Sequence, residues 1–260
     1  MKHRKKCILL SIVLLFVSFN LLALATVFYV FEGEIEDYKY SDTSEYTNIN
    51  NGLTLINSLP IQFNITNKYF SDFDNLPEES RQSIIIAYSI KNNIATYSCG
   101  INQDSICIDK DQIKKEGVLD IFNSKTELIA TNIKIYIDNY GNHNVNTSNT
   151  STFYRVSLDD SNKTENYRKY SKFYKYKESK DLYIFYMYEG YYNGNCIPGE
   201  TISLYDFITG KEVYTGVCNE KHGFKEEPDK ELEKLQIYKY ELKKDDNNNL
   251  YLYGYNPVNK

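Results

Sequence analysis

Tryptophan is absent from this sequence, and the residues that most often carry catalysis are scarce. Only three histidines, His3, His143 and His222, occur among 260 residues, and there is no glycine-rich phosphate-binding loop. His3 precedes a long uncharged segment, whereas His143 and His222 stand in polar connecting segments. Because a Ser-His-Asp or Cys-His site needs a positioned, partly buried imidazole, the sequence argues against both kinds of site.

Patterns of metal ligands are also missing. The cysteines beyond residue 31 are separated by loops of seven and 21 residues within each neighbouring pair, without a histidine pair nearby, and this does not fit a zinc site. Asp245, Asn247 and Asn249 have the first spacings of a calcium loop, but Leu250 and Asn256 stand where such a loop needs Gly and Glu. We therefore predict no metal ion and no cofactor.

Paired carboxylates are harder to exclude, since the chain has 35 acidic residues. Two acids that flank the scissile bond are the usual requirement for glycoside hydrolysis. The nearest approaches to a cluster are Asp72 with Asp74 and Asp159 with Asp160, and both pairs are typical of solvated turns.

The longest feature is a run of 25 uncharged residues, Cys7 to Phe31. As a helix it reaches about 37 Å, which is enough to cross a hydrocarbon core of about 30 Å. Four basic residues precede it in "MKHRKK" and acidic residues follow it in "EGEIED". This charge asymmetry predicts a cytoplasmic N-terminus and an extracytoplasmic C-terminal region.

A cleaved signal peptide is the alternative to an anchor, because Ala23-Leu24-Ala25 resembles a cleavage site. The apolar run continues beyond that site to Phe31, which favours an anchor that is retained. We expect a stub at 1–6, a transmembrane anchor at 7–31, a polar stalk at 32–58 and an extracytoplasmic domain at 59–260.

The expected extracytoplasmic part is acidic. Four of the 30 basic residues lie before the anchor and all 35 acidic residues lie after it, which leaves 26 basic against 35 acidic residues and a net charge of −9. Nucleic acids and anionic lipid surfaces attract basic proteins, so the balance argues against both as partners. Membrane contact is expected only through residues 7–31.

Four cysteines lie beyond the anchor and allow three pairings. "ATYSCGINQDSICI" is typical of two strands around a short loop, which brings Cys99 near Cys107. "CIPGETISLYDFITGKEVYTGVC" is typical of a hairpin that returns Cys218 to Cys196. An even number of cysteines in an oxidising compartment favours these two disulfides over free thiols.

The hydrophobic pattern predicts an α+β fold, with early helices packed on a mostly antiparallel sheet built of hairpins. One helix is expected in "NLPEESRQSIIIAYSIKNN", where Pro77 suits the first turn. Another is expected from an N-cap at Asp109 to about Phe122, weakened by Gly117. A flexible loop is expected at 138–151, and the remaining chain is almost wholly strand and turn.

Tyrosine-rich strands are the one feature that favours a binding surface. Tyrosine combines a large apolar ring with a polar tip, which suits partner proteins, peptides and sugars. Alternation in the last strand predicts that Tyr251, Tyr253 and Tyr255 share one face, opposite Leu250 and Leu252. We expect the less buried of these two faces to be the contact surface.

The layout resembles that of uncharacterised single-pass membrane-anchored proteins of AT-rich Gram-positive bacteria. The resemblance rests on the basic stub, the anchor, the polar stalk, the early helix and a closing hairpin such as "YKYELKKDDNNNLYLYGY". A helix on a curved antiparallel sheet is also similar to cystatin-like and nuclear transport factor 2-like folds. These resemblances imply a location and a rough fold, and no activity.

Three functions fit these observations. The favoured one is a tethered extracytoplasmic binding module that is not an enzyme, with an envelope protein or a glycan as its partner. The alternatives are a cell-envelope hydrolase that uses carboxylates and a purely structural surface protein. A deep cleft with converging acids favours the hydrolase, and a flat or grooved aromatic patch favours binding.

Overall fold

The computed structural model describes residues 43–65, 69–100, 104–129, 132–137, 141–146, 152–157, 167–179, 181–194, 196–221 and 223–258. The expected stub and anchor, and the pair Asp159 and Asp160, lie outside these ranges. Within them, no helix combines the length and the apolar character that crossing a membrane requires.

The helices of the described chain lie in its first half. They are α1 (Thr43–Ser58), α2 (Gln62–Ile65), α3 (Glu78–Lys91) and α4 (Lys110–Lys115). The expected helix in "NLPEESRQSIIIAYSIKNN" is confirmed as α3, which begins directly after Pro77. Its glutamates in the first turn and Lys91 in the last turn complement the helix dipole.

Two expectations for the helices were wrong in part. Residues 43–58, expected to be the end of an aperiodic stalk, form α1, and its Ile49, Leu53 and Ile56 are buried. These apolar residues are spaced three or four apart, so they form one narrow stripe in a segment that is otherwise polar. The helix capped by Asp109 ends at Lys115 instead of continuing to Phe122, because Gly117 takes a left-handed conformation with φ of +69°.

The strands form two sheets, and every pairing among the described residues is antiparallel. The N-terminal sheet has the order β1-β2-β5-β4-β3, and its strands are β1 (Thr96–Cys99), β2 (Ser105–Asp109), β3 (Ile133–Ile137), β4 (Gly141–Asn146) and β5 (Phe153–Ser157). Strand β4 lies where a flexible loop was expected. Val145 is its only apolar residue, so the alternation that marks a strand is absent from its sequence.

The C-terminal sheet contains the three expected hairpins. Its strands are β6 (Tyr167–Ser179), β7 (Leu182–Asn193), β8 (Thr201–Asp206), β9 (Glu212–Val217), β10 (Gln236–Lys244) and β11 (Leu250–Val258). Strand β7 is central, since β6 pairs with one edge along its whole length while β10 and β8 share the other edge. The fold is therefore α+β, as expected, with two sheets rather than one.

The helices pack on both sheets. The N-terminal sheet contacts α3, and Tyr154 donates a hydrogen bond to Gln82 across this interface at 2.9 Å. All eight residues from Gln82 to Ser89 are buried, which requires neighbours on every side of α3. Helix α1 packs on the C-terminal sheet at Gly52. Because Gly52 has no side chain, the ring of Phe185 on β7 fits against the helix there.

Both expected disulfides are present. The Cα atoms are 5.8 Å apart in Cys99–Cys107, which links β1 to β2, and 5.5 Å apart in Cys196–Cys218. The second bridge belongs to a small apolar core that also contains Tyr192 and Phe224. This core lies on the side of β7 that faces away from the helices, so the sheet is covered on both sides at this end.

A buried ionic cluster centred on Glu189 lies between the helices and the C-terminal sheet. The Glu189 side chain is fully buried, and its Oε1 atom is 2.7 Å from Nζ of Lys169, whose side chain is 7% exposed. Asn64 from α2 donates to Oε2 at 2.6 Å, and Tyr240 from β10 donates to both carboxylate oxygens at 2.7 and 2.8 Å. Ser171 of β6 adds a hydrogen bond of 3.1 Å.

Tyrosine hydroxyls complete this cluster as neutral groups. Burial, together with the charge of Glu189, raises the pKa of Tyr240 well above its ordinary value. Its hydroxyl therefore stays protonated and donates to the carboxylate. The Asn64 amide also donates to the hydroxyl of Tyr255 at 2.7 Å, so one side chain of α2 joins β7 and β11.

Replacement of Lys169 by Met should strongly destabilise the protein. The substitution leaves the carboxylate of Glu189 buried without its counter-charge, and removing one partner of a buried pair costs about 3–5 kcal/mol. The free energy of unfolding, measured by urea denaturation of the full chain, checks this. The double variant Lys169→Met/Glu189→Gln removes both charges and should recover a large part of the loss; a single variant as stable as the parent contradicts the prediction.

Replacement of Gly52 by Ala should also destabilise the protein, although Ala is favoured over Gly by about 0.5–1 kcal/mol in an ordinary helix. A Cβ atom at this position overlaps the Phe185 ring, and overpacking of this kind costs about 1–3 kcal/mol. The midpoint of thermal unfolding should therefore fall. Combining Gly52→Ala with Phe185→Leu should restore part of the midpoint, and a rise in the single variant would disprove the close contact.

Candidate functional site

The three tyrosines of the last strand do not share one face. Tyr251 and Tyr253 are half-exposed on the outward side of the C-terminal sheet, whereas Tyr255 is fully buried on the inward side. The expectation of a single row was therefore wrong for Tyr255.

A β-bulge explains this reversal. Gly254 lies opposite Glu241 and Leu252 lies opposite Leu242, so Tyr253 is an extra residue without its own partner on β10. One extra residue in a strand exchanges inward and outward positions for everything that follows it. Simple alternation predicts the orientation of Tyr251 and Tyr253 but misplaces Tyr255.

Tyr255 belongs to the core. Its ring stacks on that of Tyr238 with a centroid separation of 5.3 Å and an interplanar angle of 4°, and its edge contacts Phe63 of α2 at 5.6 Å. Burial, with the neighbouring Tyr240 and Glu189, raises its pKa well above the ordinary value. Tyr255 is therefore a structural residue and not part of a contact surface.

The outward side of the C-terminal sheet carries lysines between its tyrosines. Strand pairing brings residues from all four neighbouring strands β6, β7, β10 and β11 to this surface. We call it the tyrosine–lysine face, and its members are Lys175, Lys177, Tyr186, Lys239, Lys243, Tyr251 and Tyr253.

Lysine ammonium groups lie close to the tyrosine rings on this face. The Nζ atom of Lys243 is 3.3 Å from the ring centroid of Tyr253, and that of Lys175 is 4.5 Å from the centroid of Tyr186. A cation over an aromatic ring is attracted to its negative face. These contacts hold the long lysine side chains along the sheet, so the charges are distributed over a flat aromatic surface.

The face is basic although the chain is acidic. Among the described residues of these four strands, one carboxylate, that of Glu241, accompanies the four lysines on the face, and it pairs with Lys239 at 2.8 Å. The local charge is thus about +3, whereas the whole chain carries −5. Whole-chain charge alone does not reveal this patch; the signal that finds it is the alternation of Lys with Tyr and Leu along β6 and β10.

Part of the same side of the sheet is already covered. Tyr192 contacts the ring of Phe224 at 6.0 Å, and Lys172 lies 3.9 Å from Glu227 and 3.7 Å from Asp229. The segment around 224–235 therefore packs on the end of the sheet near β8. The tyrosine–lysine face is the remaining part of this side, where the described side chains are half-buried or exposed.

The acidic residues considered for catalysis occupy turns where the structure describes them. Asp72 caps a 3₁₀ turn at Phe73–Asn75. Partial burial acts to raise the pKa of Asp74, but hydrogen bonds from Ser124 and Lys125 and the charge of Arg81 outweigh it, so this pKa is lowered. Asp74 is a stable anion that links α3 to the loop at 124–126.

The segment that has the first spacings of a calcium loop is a hairpin turn. Asp245 accepts hydrogen bonds from the backbone N–H groups of Asn247 at 2.9 Å and Asn249 at 2.7 Å, which orders the turn between β10 and β11. Among the described residues there is no cluster of His, Cys, Asp and Glu side chains that could hold a metal ion.

His143 lies in β4 opposite Ile135, and His222 lies outside the described residues.

Two cavities flank the helices. One of about 520 Å³ lies between α1 and the turn of the last hairpin, and one of about 260 Å³ lies between α3 and β3. Among the described residues that line these two cavities, only Glu79 has a carboxylate.

Alanine substitutions should separate the structural tyrosine from the surface tyrosine. Tyr255→Ala removes a fully buried ring and should lower the free energy of unfolding by about 3–5 kcal/mol. Tyr251→Ala should lower it by no more than about 1 kcal/mol, because that side chain is half-exposed. Chemical denaturation of both full-length variants checks the difference, and equal losses would contradict the bulge.

Comparison of the chain with protein-family models, with curated proteins and with solved structures finds no match. The resemblance to membrane-anchored proteins and to cystatin-like folds stays a prediction. What this chain binds must therefore be inferred from its own surfaces.

Proposed function

We propose that this protein is a membrane-anchored extracytoplasmic binding module without catalytic activity. Its tyrosine–lysine face holds a partner protein of the cell envelope that presents an acidic surface. The observation that carries this proposal is an open, basic and aromatic sheet face on a chain that is otherwise acidic.

The proposed location is supported by the sequence and by the disulfides. Residues 7–31 carry no charge and are numerous enough to serve as the anchor, and the four cysteines beyond them are paired in disulfides, which persist in oxidising compartments. A tether holds the domain close to the membrane and raises the local concentration of partners that reside there.

The shape and chemistry of the face favour a protein partner. A surface formed by four adjacent strands is broad enough to serve as a patch through which proteins associate, and tyrosine is enriched in such patches. The lysines supply electrostatic complementarity, which accelerates association with an acidic surface and suppresses association with a basic one. Because their side chains already rest against tyrosine rings, little side-chain freedom remains to be lost on binding.

The alternatives lack such a feature. A hydrolase of the expected type needs two converging carboxylates at a cavity, and the described residues that line the two cavities beside the helices include one carboxylate, that of Glu79. A purely structural surface protein gives no reason for four lysines and three tyrosines on the uncovered part of one sheet.

Site-specific photo-crosslinking tests the proposal in cells that produce the chain naturally. We expect p-benzoylphenylalanine in place of Tyr253 to give one discrete crosslinked product. The same group in place of Tyr97, which is 49% exposed in the N-terminal sheet, is the matched control and should give none. The double variant Lys175→Glu/Lys243→Glu should reduce the Tyr253 product at least tenfold, because it reverses the local charge.

The mass and composition of the product decide the outcome. A partner protein with an acidic contact region supports the proposal. A product that is a second copy of this chain, a product of equal yield from the Tyr97 position, or the absence of any product from the Tyr253 position contradicts it.

A further inference from the structure

The cavity beside α1 has the composition of a binding site for an uncharged, hydroxyl-rich molecule. Its volume of about 520 Å³ falls within the range of about 300–1,000 Å³ that is usual for small-molecule sites. One wall is α1 and the other is the turn between β10 and β11. It is therefore a groove between two separate elements.

The α1 wall presents a polar stripe. Thr47, Asn51 and Thr54 are spaced by four and three residues along one side of the helix, and they line the groove together with Asn48. The apolar stripe of the same helix, which includes Ile49 and Leu53, is buried. The helix thus turns a hydroxyl- and amide-bearing side to the groove.

The opposite wall is an ordered turn. Asn248 and Asn249 line the groove, and the carboxylate of Asp245 orders the turn by accepting from Asn249 N–H at 2.7 Å and Asn249 Nδ2 at 3.3 Å. Asn248 has a left-handed φ of 68°, which Asn tolerates better than most residues. A turn held in this way presents its amides without a large ordering cost on binding.

Three of the amides are available for a ligand. The side chains of Asn48, Asn51 and Asn248 make no hydrogen bond to another part of the chain that the structure describes. Thr54 donates its hydroxyl proton to the Asn50 carbonyl at 2.8 Å, so its oxygen still accepts. The groove therefore offers both hydrogen-bond donors and hydrogen-bond acceptors.

Charge excludes other classes of ligand. The described lining residues include no carboxylate, which disfavours metal ions and cationic ligands, and only one cation, Lys244. The ammonium group of Lys244 lies 5.1 Å from the ring centroid of Tyr183, which ties it to the sheet. A single lysine does not provide the cluster of cations that phosphate-rich ligands require.

We propose that this groove binds a short neutral oligosaccharide. Each sugar hydroxyl is both a donor and an acceptor, and a side-chain amide provides one acceptor oxygen and two donor protons, so the two groups match. Leu55 and Leu250, which are half-buried, supply apolar surface for the faces of the sugar rings.

This site is separate from the tyrosine–lysine face. Lys243 belongs to that face and the adjacent Lys244 lines the groove, so consecutive residues of β10 serve opposite sides of the sheet. The inference does not depend on the proposed protein partner, so failure of one proposal leaves the other standing.

Titration of the full chain with neutral trisaccharides tests the inference. The protein is held in a detergent without a sugar headgroup, and the probes are maltotriose, mannotriose and tri-N-acetylchitotriose, with inorganic phosphate as the charged comparison. We expect saturable binding of at least one trisaccharide at millimolar concentration or below, measured by calorimetry and saturation-transfer NMR. Phosphate should not displace it.

Matched substitutions on α1 locate the binding. Asn51→Trp fills the groove and should weaken trisaccharide binding at least tenfold, while Asn51→Ala should weaken it about three- to tenfold. Asn57→Trp, at an exposed position of the same helix that does not line the groove, should leave the affinity within twofold of the parent. Lys175→Glu/Lys243→Glu should also leave it unchanged.

Several results overturn the inference. These are the absence of saturable binding for all three trisaccharides, displacement by phosphate, and equal effects of Asn51→Trp and Asn57→Trp. Thermal unfolding of each variant shows whether it is folded. If Asn51→Trp does not fold, Asn51→Ala decides the outcome, and an unchanged affinity in that variant refutes the site.

Discussion

The buried pair of Glu189 and Lys169 is the interaction on which the arrangement of the helices and the C-terminal sheet depends. A carboxylate without solvent requires a counter-charge and several donors, and these come from Lys169 on β6, Tyr240 on β10 and Asn64 on α2. Asn64 also reaches Tyr255 on β11. Four strands and one helix must therefore take their native positions together, because a missing partner leaves a charge unpaired in the core.

This constraint separates the two sides of the C-terminal sheet. The inward side of β7 presents Phe185, Met187 and Glu189 to the core, where α1 approaches closely at Gly52. The core requires an apolar or hydrogen-bonded residue at each inward position, so it leaves the outward positions free to carry charge. Lysine between tyrosines is compatible with stability there, since the ring faces support the ammonium groups and solvent reaches them.

The hairpin of β10 and β11 contributes residues to both proposed binding surfaces. Its strands carry Lys243, Tyr251 and Tyr253 outward, and its turn brings Asn248 and Asn249 to the groove beside α1. Taken together, the two proposals describe a tethered domain that binds an acidic protein on one side and a neutral saccharide on the other, and thus connects envelope components. A local basic patch is compatible with an acidic chain. The acidic remainder repels anions that would bind without specificity, whereas the patch attracts an acidic partner at short range.

Local features of the sequence determined much of the fold. Short-range patterns in the sequence predict the α3 helix and the three hairpins. They also predict both disulfides, because local strand pairing brings each cysteine close to one other cysteine. The sequence did not predict α1 or β4, because the hydrophobic periodicity of both segments is weak. The helix has one narrow apolar stripe and the strand has one apolar residue, Val145, so both depend on contacts with the rest of the fold. The orientation of Tyr255, the cluster around Glu189 and the groove at α1 were decided by tertiary structure alone. A one-residue bulge reverses a whole strand, and residues 64, 169, 189 and 240 meet only in space, so no local pattern encodes either.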